Sequence, residues 1–241
     1  MFLRTNPMAP TILIYALAAF FPAVYLMRFI YKHDIYEKEP MNLLLRLIFG
    51  GLLAAGASIL LEQLLLDGFL PTVPISSETM YYIATALIVA LVEEGTKLFF
   101  LKRYTWRSPD FNYRYDGVVY AVFVSLGFAA IENLLYVFQY GLSVAWIRGV
   151  LAVPAHMGFA VYMGAFYGRA KICDVKGDHQ GMVTNRVLSY LVPVAFHAFY
   201  DATAMVNSST ATMLFVGFVV IMYVIVYTRI KNESHRDTEI Y

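Results

Sequence analysis

The sequence predicts an all-α, polytopic membrane helix bundle, and three observations carry that expectation. Hydrophobic residues fill 60% of the 241 positions and charged residues only 15%, with a mean hydropathy of +0.61, a composition far from that of a soluble domain. Apolar runs of about 20 residues, the length that crosses the hydrocarbon core of a bilayer, recur along nearly the whole chain. Lysines and arginines gather in alternate connections between these runs, as they do in a chain that threads a membrane repeatedly. Tracts of alternating hydrophobicity, the mark of an outer-membrane barrel, are absent from the sequence. A formal net charge of +1 gives no footing for nucleic-acid binding.

Seven spans follow in order. The first, 10–30, has Arg4 before it and "YLMRFIYKHD" after it. It is longer than the core of a signal peptide and no small-residue cleavage site follows, so it reads as a retained helix. The second, 41–62, carries a stripe of Gly50, Ala54 and Ser58 that suits close helix packing, and Arg46 near its end can extend its stem to water. An acidic, proline-bearing connection with Asp67 and Glu78 leads to the third span, 80–101. The fourth is 117–140 and the fifth 145–168. The sixth, 187–206, and the seventh, 211–228, complete the set. The basic connections hold Arg28, Lys32 and Lys38, then Lys102, Arg103, Arg107 and Arg114, then Arg169, Lys171, Lys176 and Arg186; the tail adds Arg229, Lys231 and Arg236. The positive-inside rule therefore puts the N-terminus outside and the C-terminus inside. No internal repeat or low-complexity linker divides the chain, so 1–241 is expected to be one membrane domain. Its lone cysteine, Cys173, has no disulfide partner and reads as incidental.

Within these spans the ionisable residues are few and clustered. "LVEEGTKLFF" (91–100) sets Glu93, Glu94 and Lys97 in the third span; "GFAAIENLLY" sets Glu132 and Asn133 in the fourth; "VPAHMGF" sets His156 in the fifth; and "AFHAFYD" sets His197 and Asp201 in the sixth. Each charge costs a few kcal/mol in hydrocarbon unless paired or hydrated, roughly 2.5–3.5 on insertion scales, so a cluster marks a site. At 100° per residue Lys97 projects one turn from both Glu93 and Glu94, and one ammonium can serve two carboxylates. His197 and Asp201, four apart, share a face, so the carboxylate can hold the imidazole. Pro154 and Pro193 precede the two histidines and predict local kinks. At about 1.5 Å per residue, the histidines fall near mid-membrane, with Glu93 and Glu94 roughly 5 Å toward the cytoplasm and Glu132 and Asp201 about 6 Å outward. A shared midplane cavity is feasible if tilt or kinks close that offset. Gly149, Ala152, Ala160 and Gly164 are expected on the His156 face of the fifth span, either for tight packing or as a wall for an extended peptide.

Acids and histidines converging on a hydrated pocket suit activation of water for hydrolysis, by a bound metal or by a glutamate acting as general base. HExxH and GxGD signatures are absent, and "GAS" at 56–58 is only faintly similar to a rhomboid nucleophile. The set "EEGTK" (93–97), "FAAIEN" (128–133), His156 and "HAFYD" (197–201), in that order on successive spans, resembles the PrsW family of bacterial intramembrane proteases over about residues 80–205. Prenyl-protein and bacteriocin-processing proteases are similar, but their double-glutamate motif usually carries an arginine one position later than Lys97. The resemblance implies catalytic helices at about 80–206, a multi-pass metallopeptidase of the bacterial cytoplasmic membrane, and a single-pass membrane substrate such as an anti-sigma factor in envelope-stress signalling. Glu93, Glu94, Lys97 and His197 would be catalytic, either glutamate being the base; His156, His197 and Glu132 would hold Zn2+ or another divalent metal; Asp201 and Asn133 would support them from behind. The similarity to the prenyl-protein proteases implies an alternative, in which a glutamate–histidine pair activates water without a metal. The competing class is a proton- or cation-coupled transporter, whose midplane acids and histidines look much the same. A third is a scaffold whose polar residues only join helices.

Overall fold

A computed structural model describes residues 8–241; Arg4 lies outside them. The described chain forms α1 (Met8–His33), α2 (Met41–Gln63), α3 (Glu78–Thr105), α4 (Asp116–Tyr140), α5 (Leu142–Val150), α6 (Ala152–Val175), α7 (His179–Met205) and α8 (Ser209–His235). The only extended pairing among the described residues is one bridge between Tyr113 and Glu239. Seven helices have 23 to 28 residues, enough for the seven expected spans. Five segments are also apolar enough to cross a membrane by composition: Ile12–His33, Met41–Thr72, Asp116–Tyr140, Leu142–Val175 and Ser209–His235. The two long helices outside that group, α3 and α7, carry Glu93, Glu94, Lys97, His197 and Asp201. Their charges need the rest of the bundle.

Local chemistry sets the boundaries. Ser77, Asp178 and Ser208 accept hydrogen bonds from backbone N–H groups that the first turns of α3, α7 and α8 leave unpaired. Gly141 (φ 86°) and Gly177 (φ 74°) take left-handed conformations, at the α4–α5 and α6–α7 corners, that a β-carbon would strain. Past Gln63, α2 widens over Leu64–Phe69 and tightens over Leu70–Thr72. The fifth expected span is not one helix: it breaks at Leu151 into α5 and α6. Pro154 has no N–H to offer Val150 four residues back, and the Tyr223 hydroxyl on α8 donates to that carbonyl instead.

The centre of the bundle is α4, buried from Asp116 to Ala130 without interruption, flanked by α2, α6 and α1. Close approach depends on glycine. A β-carbon on Gly164 would lie 2.3 Å from the Gly117 carbonyl oxygen, and one on Gly51 would lie 2.1 Å from that of Val124. The small stripe of the fifth span is thus divided. Gly164 seats α6 against α4, Gly149 sits on α5 against Pro22 of α1, and of the four only Ala152 faces the cavity described below. The stripe serves packing and does not form a peptide-binding wall.

The basic connections meet at one end, as their alternation predicts. Asn112 donates to Glu37 (2.8 Å), the Tyr115 amide to Asp237 (2.8 Å), and Arg114 to the Arg236 carbonyl (2.9 Å). These contacts tie the α1–α2 and α3–α4 connections to the C-terminal tail. Ile240 is buried there, its amide bonded to the Asn112 carbonyl at 2.7 Å.

Candidate active site

Lys97 is the hub of the site. Its ammonium nitrogen lies 2.9 Å from Glu93 Oε2, 2.8 Å from Glu94 Oε1 and 3.2 Å from His156 Nδ1, so all three N–H donors have an acceptor. Lys97 and Glu94 are wholly buried, and the ammonium also sits 4.0 Å from the centre of the Phe128 ring, a favourable cation–π placement in a dry wall. The helical spacing anticipated the two carboxylates. The histidine, 59 positions away, is supplied by α6.

The tautomer of His156 follows from its partners. Lysine only donates, so Nδ1 must present its lone pair and the ring proton must sit on Nε2. Nε2–H then donates to Glu132 Oε2 at 2.9 Å, and Glu132 Oε1 receives Arg148 Nη2 at 2.8 Å. The relay Lys97–His156–Glu132–Arg148 closes the depth offset between the third and fourth spans. On α7, His197 Nδ1 lies 2.9 Å from Glu94 Oε1, while Nε2 faces Asp201 at 3.3 Å and Glu93 at 3.9 Å. Asp201 does touch the imidazole, but the shorter contact is with Glu94. Phe159 stacks on His197 at 5.0 Å.

These groups lie at one cavity of about 570 Å³, which collects side chains from α2 through α7. Glu93, Glu132, His156, His197 and Asp201 line it, whereas Glu94 and Lys97 stand behind its wall. Asn133 is not brought to the cavity. It donates to the Ala19 carbonyl at 3.0 Å and faces α1, because one residue beyond Glu132 is 100° around the helix.

The donor chemistry fits a divalent metal in part. Glu93, Glu94, His156 and His197 each offer a ligand atom within 4.8 Å of the others, a hard oxygen and nitrogen set of the kind that zinc takes. Glu94 Oε2 is buried with no partner, an open acceptor. Glu132, expected as a ligand, does not join this group; His156 and Arg148 occupy both of its oxygens.

Two lining residues escape sequence reasoning. Arg148 sits at the edge of the fifth expected span; its signal was its place as a lone basic residue at the acidic, outer end. It stacks on Tyr136 at 3.8 Å and anchors Glu132. Glu62 closes the second expected span and looks like a residue at the water boundary, yet it lines the cavity.

A multi-pass helical membrane protein with acids and imidazoles gathered at one cavity has the layout of an enzyme that performs hydrolysis inside the bilayer. Residues 39–228 match the PrsW family of intramembrane metalloproteases, and the chain belongs to that family. It is similar to the protein called protease PrsW in Halalkalibacterium halodurans, at 30% identity over 91% of this chain and 97% of the relative. The Oceanobacillus iheyensis protease PrsW is 32% identical over 88% and 93%, and that of Clostridioides difficile 28% identical over 93% of each. No solved structure matches the chain. Membership decides between the classes left open above: the protein is an intramembrane protease, not a transporter or a scaffold.

Proposed function

We propose that Glu93 is the general base of peptide hydrolysis in this cavity and that Glu94 is structural. The observation that carries the assignment is exposure to the cavity: Glu93 lines it, whereas Glu94 is wholly buried and binds both Lys97 and His197. Water in the cavity gives a proton to Glu93 as its oxygen attacks the scissile carbonyl. Glu93 then returns that proton to the leaving nitrogen as the C–N bond breaks, leaving a carboxylate and an amine. His197, held by Glu94 at Nδ1, presents Nε2 to the water and the developing oxyanion. Lys97 fixes the carboxylates in place, and Glu132 with Arg148 fixes His156.

Glu93, Glu94, His156 and His197 are the residues that would hold Zn2+ or another divalent ion, which when bound would polarise the carbonyl and acidify water. The Lys97 ammonium already contacts three of these four residues, so a metal there competes with it. Metal content of the purified enzyme, compared between the wild type and Lys97→Met, distinguishes the two arrangements. A substrate reaches the cavity sideways, as a single-pass protein whose helix unwinds locally so that its peptide bond is exposed. The lining residues Glu62, Gln139, Tyr140 and Met205 sit at the helix ends opposite the basic connections. This supports cutting near the outer face of a bacterial cytoplasmic membrane, the side expected for a first cut of an anti-sigma factor.

The test compares newly formed N-termini in membranes of cells expressing wild type, Glu93→Gln or Glu94→Gln at equal abundance. Termini in or beside a single-pass segment that appear with wild type alone support the reading and name the substrate. Identical profiles for all three would overturn it.

A further inference from the structure

Carboxylates from four helices line the active-site cavity, and only one of them is without a partner. Glu93 has Lys97, Glu132 has Arg148 and His156, and Asp201 has His197. Glu62, on α2, has none: its Oε1 is buried and unbonded, and no ion pair reaches it among the described residues.

Its level relative to the catalytic glutamate can be worked out from a register mark. Ser58 Oγ and Thr96 Oγ1 meet at 2.8 Å across the α2–α3 interface, and the two helices run in opposite directions. Moving toward the cavity mouth, Glu62 is four residues beyond Ser58, a rise of about 6 Å, and Glu93 is three residues beyond Thr96, a rise of about 4.5 Å. The two carboxylates therefore stand within roughly 2 Å of the same depth. Each is also one turn from its register residue, so each stays on the same face of its helix. Glu62 borders the space in which a peptide bond attacked at Glu93 must lie.

We propose that Glu62 is a specificity-determining residue that pairs with a lysine or arginine of the substrate within a residue or two of the cut bond. This rests on the protease reading of the cavity above. The pairing supports it: besides Glu62, each lining acid has an ion-pair or hydrogen-bond partner within the chain, whereas Arg148 and Lys97 are already engaged and leave no cation for Glu62. A basic substrate side chain supplies the missing partner through charge-assisted hydrogen bonds, and a neutral or acidic residue leaves the carboxylate unmatched.

The experiment uses the full-length enzyme in liposomes and the substrate identified by its new N-terminus. The two residues on either side of the cut bond are changed singly to Lys, Gln or Glu, and kcat/KM is measured for each. Wild type should favour Lys over Gln at one flanking position by about tenfold or more, as a charge-assisted hydrogen bond predicts. Glu62→Gln should erase that ratio, Glu62→Lys should invert it toward Glu-bearing substrate, and Glu62→Asp should keep its direction. A wild-type ratio near one at every position overturns the proposal, whether or not the variants fold. So does a Lys preference that survives in Glu62→Gln. If wild type cuts no member of the series, the parent substrate included, the protease reading of the cavity fails instead.

Discussion

Apart from Glu62, each buried charge of the site is tolerable because another residue answers it, and the cost of removing one partner is correspondingly large. Lys97 compensates Glu93 and Glu94 together and orients His156. Lys97→Met strands two carboxylates and an imidazole lone pair, so a loss of about 3–5 kcal/mol of stability is expected, read as a fall in thermal midpoint in detergent. Glu93→Gln should behave differently. It keeps a hydrogen-bonding side chain of the same shape at the cavity wall, so the protein should fold while cleavage falls by about 10²–10⁴-fold, the usual worth of a general base. If Glu93→Gln retained wild-type cleavage while Glu94→Gln lost it, the two glutamates would exchange roles.

At the scale of elements, the site depends on how closely α4 can approach its neighbours. Gly164 on α6 lies against the α4 backbone at Gly117, where a β-carbon would meet carbonyl oxygen at 2.3 Å. Backbone cannot swing aside as a side chain can, so Gly164→Ala must push α6 outward and carry His156 away from Lys97. Overpacking of this kind costs roughly 1–3 kcal/mol. Cleavage should fall with stability, measured as activity per folded molecule alongside thermal unfolding. The α5–α6 break gives a milder case. Tyr223→Phe removes the hydroxyl that serves the Val150 carbonyl freed by Pro154, and about 1 kcal/mol should be lost.

The whole molecule is closed at its basic end by the C-terminal tail, and the carboxyls buried there predict a dependence of stability on pH. Burial pushes the Asp34 carboxyl up to about 6 and that of Glu39 up to about 7. Both lie in the α1–α2 connection, outside the spans; Glu39 accepts the Tyr120 hydroxyl at 2.6 Å, and Asp34 neighbours Asp237 of the tail. A carboxyl that keeps its proton to higher pH in the folded state than in the unfolded one stabilises the fold at low pH. That contribution is lost as pH rises through the folded values. Thermal stability in detergent should therefore decline between about pH 4 and pH 7, and Glu39→Gln should flatten the decline. A profile that rises over this interval would contradict the assignment.

Length and hydropathy alone were enough for a helical membrane bundle, because a span must satisfy its own backbone and few residue types survive in hydrocarbon. The cluster of acids and histidines was legible for the same reason: a charge placed where it is expensive stands out against an apolar background. The pairing of Lys97 with Glu93 and Glu94 was also readable, since i,i+3 and i,i+4 neighbours follow from helix geometry. Contacts between helices were not. Spacing along the chain could not reveal that His156 takes its proton donor from Lys97, that Glu94 holds His197 more closely than Asp201 does, or that Asn133 turns away to α1. Those depend on helix rotation and approach, which are set by glycine contacts and by a proline break at residues distant in sequence. Glu62 and Arg148 stayed hidden because each sits at the end of an apolar run, where a charge costs little and attracts no notice. Only the packing of six helices around one cavity turns them inward.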